Sequence, residues 1–400
     1  MVPDISQRAQ NMPFSPIRKL SKYEDAARRN GVHIYHLNIG QPDIKTPECA
    51  LEAIKHIDRD ILEYSPSQGH ISLRTKLVSY YAEYGIDLSP DEIIITAGGS
   101  EAIMFAYMAC LDPGDEIIVT DPSYANYMAF AISSGAVVKS VKTSIENGFR
   151  LPSVEEFEKQ ITPRTKAILI CNPNNPTGYL YTRKEMLQIR DIVRKHNLYL
   201  FSDEVYREFI YTKQPYISAF HLEGLEENVI LVDSVSKRYS ECGIRIGALI
   251  TKNRKVREAV MKFCQARLSP PLVGQIIAEA SVSTPKEYMD EVYEEYLGRR
   301  NFLIDGLNKI DGVYAPTPMG AFYVMVRLPV DDAEKFCKWC LTDFQWEGST
   351  IMMAPGAGFY TDPGEGRDQV RMAYILNKED LAKALIVLEK ALKEYNQQTT

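Results

Sequence analysis

Residues 92–110 read EIIITAGGSEAIMFAYMAC. A β-branched run, a Gly-Gly pair and a helix-forming run in immediate succession spell strand, tight turn, helix. The same grammar recurs downstream, where EIIVT at 116–120 precedes SYANYMAFAISSG at 123–135 and KAILIC at 166–171 precedes RKEMLQIRDIVRKH at 183–196. LYLFSDE at 198–204, NVILVDSVSK at 228–237 and IGALIT at 246–251 follow. Strands alternating with helices of ten or more residues build βαβ units, and these strands are apolar throughout, as strands covered on both faces must be. The pattern predicts an α/β fold whose large domain is a three-layer α/β/α sandwich around a mostly parallel sheet.

Beyond Lys252 the pattern changes to helical runs at 253–267, 270–282 and 286–308, then to the short strands FYVMV, TIMMA and VRMAY mixed with helices near 332–342 and 379–394. This predicts a second, smaller α+β domain. The expected division is an N-terminal arm and part of the small domain in 1–47, the large domain in 48–285 and the small domain in 286–400. The segment NIGQPDIKTP at 38–47 is expected to cross between the lobes.

The chain has 400 residues, with 46 Lys and Arg against 53 Asp and Glu, a formal charge of −7. Such a balance argues against nucleic acid or an anionic membrane as partner. Apolar stretches such as IIIT are of strand length, so no membrane span is expected, and the N-terminal segment lacks the apolar core of a signal peptide. A cytoplasmic protein is the expectation. Seven cysteines in 400 residues suit reduced thiols. Cys337 and Cys340 have CxxC spacing but no second pair to complete a zinc site, and His33 and His36 lack a neighbouring ligand motif, so no metal is expected.

The strongest chemical signal is SVSKRYSECGIRIG at 234–247. Lys237 follows a strand that should end at the sheet's carboxyl edge, where open α/β sheets bind ligands. Ser234, Ser236 and Arg245 surround this amine in sequence. Hydroxyls and a guanidinium around one amine suit a phosphate joined to a group that reacts with nitrogen, as in a phosphate-bearing aldehyde. TAGGSEAI at 96–103 adds a helix N-terminus, at Gly99 and Ser100, suited to an anion. In NPNNPTG at 172–178 the two Asn-Pro pairs force a turn that does not itself require Asn175. In SDEVYREF at 202–209, Asp203 ends an apolar strand and Tyr206 follows by three. A carboxylate at a strand end is either an ordinary loop charge or the partner of a protonated pyridine nitrogen.

Together these segments resemble the fold-type-I pyridoxal-phosphate aminotransferases of class I/II, close to the aspartate aminotransferases. The resemblance runs from about Asn38 to the C-terminal helix. Every fixed position of S-x-S-K-x(5)-G-x-R-x-G is matched, while Glu241 stands where the family usually carries an apolar residue. The resemblance implies that Lys237 joins pyridoxal 5'-phosphate as a Schiff base. It further implies that Asp203 pairs with the pyridine nitrogen, that Tyr206 and Asn175 bond the ring's phenolic oxygen, and that Tyr124 stacks on the ring. Gly99, Ser100, Ser234, Ser236 and Arg245 would form the phosphate cup, with Tyr64 supplied to a neighbouring subunit of a homodimer. Arg371 would grip the substrate α-carboxylate, with Gly40 and Asn175 beside it.

The implied reaction moves an amino group from an L-amino acid, aspartate favoured, to a 2-oxo acid such as 2-oxoglutarate. An aminotransferase for aromatic or other neutral amino acids, or a C–S lyase of the same fold, are the competing readings. A dehydrogenase is disfavoured because no GxGxxG follows an early strand. For a side-chain carboxylate the candidates are Arg267 and Arg18, and Arg267 serves equally well as a structural ion-pair partner at a helix end.

Overall fold

A computed structural model describes residues 2–399. Its central sheet has seven strands, in the order Ile93–Thr96, Gly247–Ile250, Val229–Ser234, Tyr199–Asp203, Thr165–Cys171, Glu116–Asp121 and Val137–Lys142. Only Gly247–Ile250 runs antiparallel to its neighbours.

Alternation along the strands shows why helices cover both faces. Ile94, Val119, Leu169, Phe201, Val232 and Leu249 belong to one apolar cluster. Their neighbours Ile95, Ile118, Ile168, Leu200, Leu231 and Ile250 belong to another. Successive strand side chains point to opposite faces, so a strand apolar at every position needs a cover on each side. Helices Gly99–Cys110 and Arg254–Arg267 contribute Ala102, Phe105, Val260 and Cys264 to the first cluster. Helices Ile71–Ala82, Arg183–His196 and Leu272–Ser281 contribute Leu73, Leu77, Met186, Ile189 and Ala278 to the second.

The remaining elements form a three-stranded antiparallel sheet, in the order Ala354–Pro355, Gln369–Ala373 and Tyr323–Arg327, flanked by helices Lys286–Leu307, Ala333–Thr342 and Lys378–Thr399. Strand His33–His36 pairs in parallel with Ser349–Met352, tying the N-terminal segment to the C-terminal elements. That pairing, and the helices Ser21–Arg29, Glu48–Lys55 and Ile71–Ala82, add to the elements expected from the sequence. Cys337 and Cys340 are buried on one amphipathic helix, and all seven cysteines are free.

Register sets the site. Thr96 and Ser234 both pair with Gly247, Asp203 pairs with Val232, and Cys171 pairs with Asp203. The carboxyl ends of four parallel strands therefore lie level along one edge. The turns that leave them carry residues 97–100, 172–178, 203–206 and 234–237.

Candidate active site

Lys237 lies in the single helical turn Val235–Arg238, which Ser234 caps by accepting from Ser236 N. Its Nζ donates to the Gly40 carbonyl at 2.8 Å and lies 3.7 Å from Cys242 Sγ. Within residues 38–47, Gly40 thus brings its backbone to this amine. The approach depends on Gly40, where a Cβ would sit 1.7 Å from Tyr323 Oη.

From Gly40 a polar chain continues. Tyr323 Oη donates to the Gly40 carbonyl at 3.4 Å and lies 3.1 Å from Tyr206 Oη. Asn175 Nδ2 donates to Tyr206 Oη at 3.3 Å, and Asn175 Oδ1 accepts from Arg371 Nη1 at 3.1 Å. Arg371 Nη2 donates to the Asn38 carbonyl at 2.6 Å. Lys237, Gly40, Tyr206, Asn175 and Arg371, which span more than 330 positions of sequence, thus share one hydrogen-bonded wall.

Charges in this wall are mismatched in an informative way. Arg371 is 1% exposed, its Nε has no hydrogen-bond partner, and burial lowers its pKa with only tyrosines opposing the shift. Its guanidinium lies over the rings of Tyr323 and Phe359, at 4.5 and 4.9 Å. Among the described residues no carboxylate pairs with it. Asp203 is the converse case, a buried carboxylate with no cation paired to it among the described residues. It accepts from Tyr127 Oη at 2.7 Å and from Val205 N at 3.4 Å, and burial raises its pKa to about 6. Buried ions are ordinarily paired. Both charges act on Tyr124, and an unpaired cation and an unpaired anion sharing a neighbour suit a ligand carrying both complementary charges.

An anion cup adjoins them. Ser234 Oγ and Ser236 Oγ are 2.8 Å apart, and both are buried. Arg245 donates to the Cys242 and Ala97 carbonyls at 2.9 and 3.4 Å, with no carboxylate partner among the described residues. Its guanidinium covers the turn at Gly98, whose φ of 81° and lack of a Cβ permit the approach; a Cβ there would lie 2.4 Å from Arg245 Nη2. Gly99 opens the helix Gly99–Cys110, with Ser100 half-buried beside it, so free N–H groups face the same space.

The profile of the family described as "Aminotransferase class I and II" matches residues 32–388. The chain belongs to the class I and II aminotransferases. This aminotransferase is 33% identical to aspartate aminotransferase of Thermotoga maritima over 97% of its own length and 99% of that protein. It is 32% identical to aromatic-amino-acid aminotransferase 2 of Thermococcus litoralis, with 98% of each chain covered. Its fold superimposes on the solved structure of Thermus thermophilus aspartate aminotransferase with maleate at a TM-score of 0.89 and 30% identity, covering 98% of this chain and 100% of that one.

Other sequence candidates lie apart from this wall. Tyr64 is 78% exposed in this single chain. Arg267 Nε is 3.6 Å from Glu101 Oε1 and Nη2 donates to the Ser67 and Ile95 carbonyls at 3.4 Å, while among the described residues its buried Nε and Nη1 have no hydrogen-bond partner. Arg18 is exposed, and its charge reaches Tyr124, whose hydroxyl burial pushes up to about 12. Tyr124 packs edge-on against Tyr127 at 5.4 Å, so the tyrosine that touches Asp203 also supports the ring expected to stack.

Tyr127, Tyr323 and the Asn38 carbonyl are site groups that sequence reasoning missed. Tyr127 stands three residues after Tyr124 in DPSYANY, on the same side of a helix start, and that spacing was its available signal. Glu241, the family mismatch, is 3% exposed. Its Oε1 accepts from Ser281 Oγ at 2.5 Å, its Oε2 has no partner, and burial raises its pKa to about 7.

Proposed function

We propose that this aminotransferase uses pyridoxal 5'-phosphate, carried on Lys237, and prefers dicarboxylic L-amino acids such as aspartate, with 2-oxoglutarate as acceptor. The observation that carries the reading is the pair of unmatched buried charges, Asp203 and Arg371, which both act on Tyr124. A protonated pyridine nitrogen answers Asp203, and a substrate α-carboxylate answers Arg371. The cup of Ser234, Ser236, Arg245, Gly99 and Ser100 suits the cofactor's phosphate, and the phenols and amide of Tyr206 and Asn175 suit its ring oxygen. When bound, pyridoxal phosphate supplies an electron sink for the pair released at the substrate Cα.

The chain's own residues perform the remaining tasks. Arg371 orients the amino acid by a two-point contact with its α-carboxylate. Lys237 Nζ, as a neutral amine, removes the substrate Cα proton and holds it for return. Asp203 keeps a proton on the ring nitrogen, and Tyr124 closes the ring face against water. Arg18 is the group we assign to the side-chain carboxylate, because its charge acts on Tyr124 whereas Arg267 faces Glu101.

Residues 48–285 are assigned as the cofactor-binding domain, 286–400 as the small domain and 1–47 as an arm contributing to the latter. The pairing of His33–His36 with Ser349–Met352 supports this division. A homodimer is proposed as well. Ile61, Leu62, Tyr64 and Ile71 are 72%, 66%, 78% and 57% exposed within one segment, an apolar cluster that a second copy would cover. No helix among the described residues is long and apolar enough to cross a membrane. Seven unbridged cysteines support a cytoplasmic location.

A donor panel tests the specificity. Aspartate, alanine and phenylalanine are each mixed with the holoprotein, and loss of cofactor absorbance is followed with and without 2-oxo acid. The reading requires absorbance lost with the donor alone and restored by the 2-oxo acid, with repeated turnover only when both are present, fastest for aspartate and selectively weakened for aspartate in Arg18→Leu. Turnover without any 2-oxo acid would favour the C–S lyase, and equal loss for all donors in Arg18→Leu would leave aspartate unsupported.

A further inference from the structure

Five of the charged residues that the reaction leaves unused cluster beside the Lys237 turn. Arg207 and Glu204 have fully buried side chains, and those of Arg238, Asp233 and Glu208 are 2%, 5% and 14% exposed. Replacing buried ion pairs by apolar residues is often neutral or stabilising, so stability alone is a weak account of such a cluster.

Its connectivity suggests another. Asp233 and Arg238 flank the four residues Ser234 to Lys237. Asp233 Oδ1 accepts from Ser234 N at 2.8 Å, while Oδ2 accepts from Arg238 Nη2 at 2.6 Å and from Tyr81 Oη at 2.5 Å. One carboxylate therefore ties both ends of the turn. The turn needs that tie, because Val235–Arg238 is a four-residue helix, too short to hold itself by its own hydrogen bonds.

Beyond Asp233 the charges continue to the neighbouring strand. Arg207 Nη1 is 3.7 Å from Asp233 Oδ2, and Nη2 is 3.0 Å from Glu204 Oε2. Glu204 directly follows Asp203, and its Oε1 accepts from Ser202 Oγ, Ser218 Oγ and Ala219 N at 2.9, 3.0 and 2.9 Å. On the far side, Arg238 lies 4.0 Å over the Tyr80 ring and 3.5 Å from Glu208 Oε1, which also accepts from Tyr80 Oη.

We infer that Asp233 and Arg238 are positioning residues, a charged clamp that fixes Lys237, with Arg207 and Glu204 holding that clamp at a set distance from Asp203. The inference rests on Lys237 carrying the cofactor, as proposed above. Rigid support of this kind matters because a reactive group displaced by about 1 Å loses much of its catalytic advantage.

The test uses holoprotein with both clamp charges removed, Asp233→Asn/Arg238→Met. Removing one charge alone would strand the other in the interior and threaten folding, whereas the double change leaves the cluster's net charge as it was. The readouts are the pH midpoint of the bound cofactor's absorbance change, kcat, and KM for the donor. The clamp predicts a midpoint moved by about half a pH unit or more, and kcat lowered about tenfold or more with KM changed less than about threefold. If the double variant fails to fold, Arg238→Lys keeps a buried cation while losing the guanidinium's reach, and smaller changes of the same kind are expected. A wild-type midpoint and kcat in whichever variant folds, whatever its thermal stability, would overturn the clamp. Borohydride fixing no cofactor mass on Lys237 of the unmodified protein would instead overturn the reading beneath it.

Discussion

Replacing Arg371 by leucine removes a cation that is 1% exposed, has no carboxylate partner among the described residues and retains one unsatisfied N–H. Its two protein contacts, to Asn175 Oδ1 at 3.1 Å and the Asn38 carbonyl at 2.6 Å, aim the guanidinium and leave Nε free for a ligand oxygen. Truncating one member of a desolvated, hydrogen-bonded charge pair costs roughly 2–5 kcal/mol. At 1.36 kcal/mol per factor of ten, kcat/KM should fall by about 30-fold to about 5,000-fold. Because every amino acid presents an α-carboxylate, aspartate, alanine and phenylalanine should lose within that range together. The assay is single-turnover loss of cofactor absorbance for each donor. A thermal-shift series with a non-reacting carboxylate should show stabilisation of the wild type and little of the variant. Loss confined to aspartate would place Arg371 on the side chain, and unchanged kinetics would mean that the α-carboxylate binds elsewhere.

Other outcomes follow from the same geometry. Burial holds Asp203 at about 6 against an ordinary value of 3.8, so the cofactor-free fold keeps a proton that the unfolded chain releases, and stability is lost as pH rises from about 4 to about 6. That gap is worth roughly 3 kcal/mol, so cofactor-free Asp203→Asn should melt above the wild type at pH 8 and near it at pH 4, whereas the loaded variant should keep cofactor and lose most activity. A melting difference that does not vary with pH would refute this. Glu241 follows the same sign, at about 7 against 4.5, so Glu241→Gln should raise the melting temperature above pH 7 and leave it unchanged near pH 4; equal melting at every pH would show that its burial is not costly. Mixing Tyr64→Phe chains with Lys237→Ala chains should yield hybrids more active than either parent, and a monomer by light scattering would contradict the shared site.

The strand and helix grammar of the large domain was legible because doubly covered strands are apolar at every position and their helices are amphipathic. Helices expected at 253–267 and 286–308 occur as Arg254–Arg267 and Lys286–Leu307. The pairing of His33–His36 with Ser349–Met352 was not legible, since four residues carry little periodicity and their partner lies over 300 positions away. Motif reading singled out Lys237, Asp203 and Asn175, which the fold sets at turns along one sheet edge, whereas Arg371, singled out only by the family resemblance, lies within strand Gln369–Ala373. It missed Tyr323 and Tyr127, whose rings read as core until register aimed their hydroxyls at Tyr206 and Asp203. Arg267 stood equally as ligand or ion-pair partner in the sequence, because Glu101, 3.6 Å away, lies on another helix. Nothing in the sequence singles out Glu204, Arg207, Asp233 and Arg238, since burial is a property of the fold.

The central claim, that Lys237 is the amine carrying pyridoxal phosphate in this aminotransferase, is tested most directly by borohydride reduction of the yellow holoprotein followed by peptide mass mapping. The account predicts that reduction abolishes the visible band and leaves the cofactor's mass on the peptide containing Lys237. Cofactor mass on another lysine, or on none, would contradict it.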